Sequence, residues 1–366
     1  MAWSLRVNPV SRPSKLEAGD CGRGDDVAAA TSGGQPVPGA AGAAQEGVFE
    51  LGRLALHHGG HIDEARLAWR LTGAPSQPLV VVLGGISAHR HVFDPLQPRL
   101  GWWCEIAGPG MVLDSTRCRI LGIDYLGGNG SSSAPTAGHP FPSLSSFDQA
   151  QALARLLDHL GQRSVRAIVG ASYGGMVALA FAERFPGRVE QLIVISAADR
   201  PHPMATAWRS IQRRIVRLGL AGGRTAEGLE LARALAMATY RSAEEFGARF
   251  DHLPQRTEAG FVFPVEDYLL ARGRAYAERH LPESFLCLSE SIDLHVVDAA
   301  RIEVPVSVVA VREDQLVPIA DIRALAARLP RAQLHELSSP HGHDAFLKEA
   351  EQLRPVLNEI HGDLPK

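Results

Sequence analysis

Small and polar residues fill the start of the chain, and large apolar ones set in only near Phe49. A segment so poor in apolar surface cannot offset the entropy of ordering itself, so residues 1–46 read as a disordered N-terminal extension. From Ala65 to Arg70 apolar and polar positions alternate, as in an edge strand. A turn at Gly73-Ala-Pro-Ser-Gln77 then leads into Leu79-Val-Val-Val-Leu83, an unbroken apolar run typical of a strand covered on both faces. The unit repeats. Strands are expected at 118–124, 165–169 and 191–196, and helices at 146–160 and 174–185. The first of these helices carries Phe147, Ala150, Leu153, Leu156, Leu157 and Leu160 at helical spacing and stops at Gly161.

Strand–helix alternation of this kind builds a mostly parallel sheet with helices on both faces, an α/β fold. It halts between 199 and 300, where the pattern is helical, with breaks at Gly222-Gly223 and Pro264 and no strong strand. It resumes with a strand at 306–311, a helix at 319–329, a strand at 333–337 and a last helix. Unstructured loops of that length are uncommon in a folded domain. Residues 199–300 therefore read as an inserted helical lid, and 47–198 with 301–366 as the core.

Composition narrows the function. A net charge of −3 gives no electrostatic case for nucleic acid or an anionic membrane. No window approaches the roughly 18 apolar residues of a membrane span, and the N-terminus lacks the apolar stretch of a secretory signal. The four cysteines, at 21, 104, 118 and 287, are far apart and suggest neither a disulfide scaffold nor a zinc site. A reduced, cytoplasmic protein is expected. No His, Asp or Glu cluster has metal-ligand spacing, so no metal is expected. The glycines at 84–85 and 127–130 lack the phosphate-cradling patterns of nucleotide sites.

The sharpest chemical signal is Gly170-Ala-Ser172-Tyr-Gly174, between an expected strand and an expected helix. There a tight turn lifts the serine above the sheet, with glycines on both sides letting the backbones approach. A serine hydroxyl needs a base, and the base needs an acid to fix its tautomer. On this architecture the partners follow in the order Ser, Asp, His. Asp314, in Asp-Gln-Leu-Val-Pro318 after a strand, is favoured over its neighbour Glu313. His343, with Gly342 before it and Asp344-Ala-Phe346 opening the last helix, is favoured over His341. The oxyanion donors are assigned to the backbone of Tyr173 and, from the loop Gly84-Gly85-Ile86-Ser87, to Gly85 or Ile86.

With this nucleophile turn, triad order and helical insert the chain resembles the α/β-hydrolase fold. More specifically, Gly101-Trp-Trp103, Gly108-Pro-Gly110, Leu113-Asp-Ser-Thr-Arg117, Ile120-Leu-Gly-Ile-Asp124, Gly130-Ser131, Gly170-Ala-Ser-Tyr-Gly-Gly-Met176 and Gly342-His-Asp-Ala-Phe-Leu347 resemble the homoserine O-acyltransferase family of methionine biosynthesis, over roughly residues 50–360. The resemblance implies a ping-pong transfer through an acyl-serine, from succinyl-CoA or acetyl-CoA to L-homoserine, with acyl-CoA as a substrate and no bound cofactor. Serine as acceptor, or hydrolysis of esters or thioesters by the same triad, stays open. It places the triad on Ser172, Asp314 and His343. It further places a carboxylate-binding arginine on Arg213, with Arg214 as the neighbouring candidate, an ammonium-binding aspartate on Asp344, and a homodimer packed through the lid. The family's leucine-threonine-glycine oxyanion loop is replaced by Gly84-Gly85-Ile86-Ser87, its methionine after the nucleophile by Tyr173, and an asparagine by Asp124.

Overall fold

The computed structural model describes residues 44–362 apart from 95, 98–99, 140, 251–252 and 259. The expected N-terminal extension falls outside the described residues up to 43. Its last positions, 45 and 46, already belong to the first strand.

Eight strands form one sheet: β1 (Gln45–Ala55), β2 (His61–Thr72), β3 (Leu79–Leu83), β4 (Arg119–Ile123), β5 (Ala167–Ala171), β6 (Leu192–Ile195), β7 (Val306–Val311) and β8 (Ala332–Leu337). Their spatial order is β1-β2-β4-β3-β5-β6-β7-β8. β1 and β2 form an antiparallel hairpin and β2 runs antiparallel to β4, while every other neighbouring pair is parallel. The edge position is thus taken by β1, and the alternating segment read as an edge strand is the second strand in.

Period-two alternation explains the apolar runs. Leu79, Val81 and Leu83 face one core with α1 (Ser146–His159), α2 (Tyr173–Arg184) and α8 (Ile319–Arg328). Val80 and Val82 face the other, with Trp103, Phe346 and the helix α10 (Ala350–Asn358). A strand with helices on both sides has no polar face to offer, and β3, β5, β6 and β7 are buried throughout.

Between β6 and β7 stand α3 (Pro203–Ala221), α4 (Thr225–Tyr240), α5 (Ala243–Arg249), α6 (Pro264–Ala277) and α7 (Pro282–Asp293), with a short hairpin of Gln255–Thr257 and Gly260–Val262. Their own small core holds Val216, Leu229, Ala232, Tyr276 and Phe285. α3 and α4 cross so closely that a Cβ on Gly219 would lie 2.8 Å from Gly228 Cα. The short helix α9 (Ala345–Lys348) follows the loop after β8. Cys118 and Cys287 are free thiols, but Cys104 is disulfide-bonded, which its wide sequence spacing did not suggest.

Candidate active site

Ser172 stands between β5 and α2 with φ 55° and ψ −121°, a left-handed conformation that a side chain rarely adopts. The surroundings hold it there. Its N–H donates to Ile195 O at 2.9 Å, and its C=O accepts from Gly175 and Met176. A Cβ on Gly170 would sit 2.3 Å from Gly174 O, and one on Gly174 would sit 2.2 Å from Leu83 O. Neither contact is possible, so both positions demand glycine.

His343 Nε2 lies 2.7 Å from Ser172 Oγ, and His343 Nδ1 lies 2.7 Å from Asp314 Oδ2. A carboxylate only accepts, so Nδ1 carries the proton and Nε2 accepts from the serine hydroxyl. Asp314 is fixed in turn by the Leu316 and Val317 N–H groups, which donate to its other oxygen at 2.8 and 3.0 Å. Burial pulls the imidazole pKa down, but the Asp314 carboxylate, by charge and hydrogen bond, and Asp344 outweigh it, and the net shift is upward. The rivals face elsewhere. Glu313 accepts from Ser338 Oγ and Ser339 N, and His341 Nδ1 meets Arg241 at 3.0 Å.

Tyr173 is the first residue of α2, so its N–H has no intrahelical acceptor and points out at the helix start. In the β3 loop, a Cβ on Gly85 would lie 4.0 Å from Ser172 Oγ. Ile86 lines the same cavity. The loop is braced from behind, since Gly84 O accepts from Gly174 N at 2.9 Å and from the Tyr125 hydroxyl at 2.7 Å. The Tyr173 hydroxyl meets Ser291 Oγ of α7 at 2.6 Å, tying the nucleophile turn to the lid.

Several of the sequence blocks turn out to build the walls. Trp103 Nε1 donates to Phe346 O at 2.7 Å, locking the loop that carries His343. Asp124 is buried and accepts from Arg90 N, Arg90 Nη1 and Ser131 N. Gly130 must be glycine there, because a Cβ would lie 2.2 Å from Asp124 Oδ2.

The triad opens into a cavity of about 1120 Å³ between sheet and lid, lined by many arginines and by Trp102, Trp208, Tyr240 and Tyr276. Asp344 is on its wall, with Arg241 Nε 3.0 Å from Oδ2. Arg213 is not. Its Nη1 is spent on Asp293 Oδ2 at 2.6 Å and on Ser289 O and Oγ, inside the α3–α7 contact, and it forms no part of the cavity lining. Arg214 is exposed and also off the wall. The structure does not bring Arg213 onto the cavity wall, where the expected carboxylate-binding role would put it, although Arg209, Gln212 and its partner Ser289 are on that wall. The cavity arginine next to Asp344 is Arg241, and a second, Arg233, projects from α4; both were missed. Arg233 sits in Leu231-Ala-Arg-Ala-Leu235, where nothing in the sequence separates it from an ordinary helix arginine. No cluster able to hold a metal occurs among the described residues.

Residues 78–350 match the alpha/beta hydrolase fold family. The homoserine O-succinyltransferase of Xanthomonas campestris pv. campestris is 45% identical over 306 residues, 83% of this chain and 80% of that protein. The homoserine O-acetyltransferase of Thermus thermophilus is 33% identical, over 82% of this chain and 87% of its own. The crystal structure of homoserine O-acetyltransferase from Bacillus anthracis superposes with a TM-score of 0.79 at 17% identity, covering 87% of this chain and 97% of that one, which speaks for the fold alone.

Proposed function

The chain belongs to the homoserine O-acyltransferases of the α/β-hydrolase fold, and from that premise we propose that it moves an acyl group from coenzyme A to the hydroxyl of L-homoserine through an ester on Ser172. The observation that carries this reading is the Arg241–Asp344 pair beside the base: Asp344 directly follows His343 and lines the cavity with it. An amino-acid acceptor brings one ammonium and one carboxylate. A carboxylate and a guanidinium side by side match both, whereas a water acceptor needs neither.

In the first half-reaction His343 Nε2 takes the Ser172 proton as Oγ bonds to the thioester carbonyl carbon. The oxyanion is met by the Tyr173 N–H and an N–H of the Gly85–Ile86 loop. The carbon–sulfur bond breaks and the thiolate leaves with the proton from His343. In the second, homoserine gives its hydroxyl proton to His343, its oxygen bonds to the acyl carbon, and the Ser172 ester breaks as the proton returns to Oγ. Coenzyme A is a substrate, and no cofactor has a part in either step. We place this reaction in the cytoplasm and in methionine biosynthesis, the setting that an acyl-CoA and a free amino acid as substrates suit. We also propose a homodimer joined through the lid.

Acyl-CoA mixed with the protein, with and without homoserine or serine, tests the reading by thiol release and product mass. Homoserine-dependent release with formation of O-acylhomoserine is expected. Release at the same rate without any amino acid would make the protein a thioesterase, and product formed only from serine would reassign the acceptor.

A further inference from the structure

Arg233 sits half-buried on α4 and lines the cavity. Its guanidinium lies over the Tyr276 ring, 4.7 Å from the centroid, and over the Tyr240 ring at 5.2 Å, and its Nη1 donates to the Tyr240 hydroxyl at 3.2 Å. It makes no ion pair among the described residues. The acid whose charge it feels is Asp344, and that carboxylate is held by Arg241. Two aromatic faces and one phenol do not neutralise a half-buried guanidinium. Most of its N–H fork is unspent. The His280 ring stacks on Tyr276 at 3.7 Å, and burial lowers its pKa to about 4, so it stands there as a neutral ring.

The position matters as much as the missing partner. The Tyr240 ring stands 5.9 Å from the His343 ring, and Tyr276 interacts with Ser87 of the loop that also carries Gly85. Arg233 is therefore one aromatic ring removed from both the base and the oxyanion loop. Ser172 and Arg233 line the same cavity, the position that a carboxylate at the far end of an acyl chain on Ser172 calls for. With Arg241 and Asp344 given to the acceptor amino acid, Arg233 stands close to the base for a charge at the acyl end.

We propose that Arg233 is a specificity-determining residue that binds the terminal carboxylate of the acyl group, so that the preferred donor is the CoA thioester of a short dicarboxylic acid, such as succinyl-CoA. This rests on the acyl-serine reading above. The test follows acylation of Ser172 by mass and thiol release in the absence of amino acid, with succinyl-CoA and acetyl-CoA. The native protein is expected to favour succinyl-CoA, and Arg233→Met to lower the succinyl-to-acetyl ratio of kcat/KM by at least about tenfold, the worth of a charge-assisted fork. Arg233→Lys should recover part of the ratio, because it keeps the charge and loses the fork. Should Arg233→Met fold poorly, succinyl-CoA against its monomethyl ester on the native protein asks the same question, with a comparable preference for the free acid expected. A ratio unchanged within twofold in the variant, or equal use of acid and ester, would overturn the assignment. So would an unchanged ratio accompanied by a raised KM for homoserine, which would make the ligand the amino-acid carboxylate. Failure of every acyl-CoA to acylate native Ser172 would instead remove the acyl-serine reading on which the assignment stands.

Discussion

His343 feels two opposed forces, and which one prevails sets the working pH. Its ring is buried, which favours the neutral form, but it touches the Asp314 carboxylate at 2.7 Å and neighbours Asp344, which favour the charged form and prevail. Only neutral His343 can take the serine proton. Activity is therefore lost as pH falls through the pKa of the folded protein, and because that pKa is raised, the acid limb of kcat/KM for the acyl donor should lie above pH 6.5, the ordinary histidine value. Asp314→Asn removes the charge that raises the pKa and loses the acceptor that fixes the tautomer. It should cost roughly 10³- to 10⁴-fold in kcat and move any residual limb to lower pH. A limb that stays in place in Asp314→Asn would show that another group titrates. The triad was legible because each member sits in a local pattern: a strand–turn–helix around Ser172, and loops after two late strands for Asp314 and His343. Arg241 and Arg233 were not, since the acid beside the first and the lack of one beside the second are facts of space and not of sequence.

At the scale of elements the same divide appears. β3 and the elbow strand β5 could be read from runs of four or five residues. The β1–β2 hairpin could not, because β1 carries glycines at 47 and 52 and mostly exposed side chains, so its pairing with β2 rather than its pattern makes it a strand. Arg213 shows the limit most clearly. Its partner Asp293 is 80 positions away on α7, and together with Arg209, which meets Asp293 Oδ1 at 2.6 Å, the pair straps α3 to α7. A strut and a ligand clamp predict different outcomes for Arg213→Ala. As a strut, its loss leaves Ser289 and Asp293 short of one donor and should lower stability by about 1–3 kcal/mol, read in thermal or urea unfolding. The KM for homoserine should change by less than it does in Arg241→Ala, where the cavity-facing guanidinium itself is removed. A larger KM increase in Arg213→Ala than in Arg241→Ala would restore Arg213 to the site.

For the whole molecule, the lid has a second surface that the cavity does not use. Met204, Ile211 and Leu218 recur every seven residues on α3 and are all largely exposed, Leu218 at 73%. A seven-residue apolar repeat puts side chains on one stripe of a helix, the arrangement that packs against a partner helix and that water tolerates poorly. Phe261 and Phe263 add exposed aromatic area at the lid hairpin and the start of α6. In the homodimer we propose, a second copy would lay its own α3 stripe against this one about a twofold axis, so that the same residues are covered on both sides at once. Light scattering at micromolar concentration should therefore return twice the mass of one chain. Ile211→Glu combined with Leu218→Glu should bring that down to a single chain, since two like charges would face their own copies across the axis. These side chains lie on the solvent face of α3, so the double variant should still react at Ser172 with a serine-directed reagent. A native protein that scatters as one chain, or a double variant that stays paired, would show that this stripe does not join two copies.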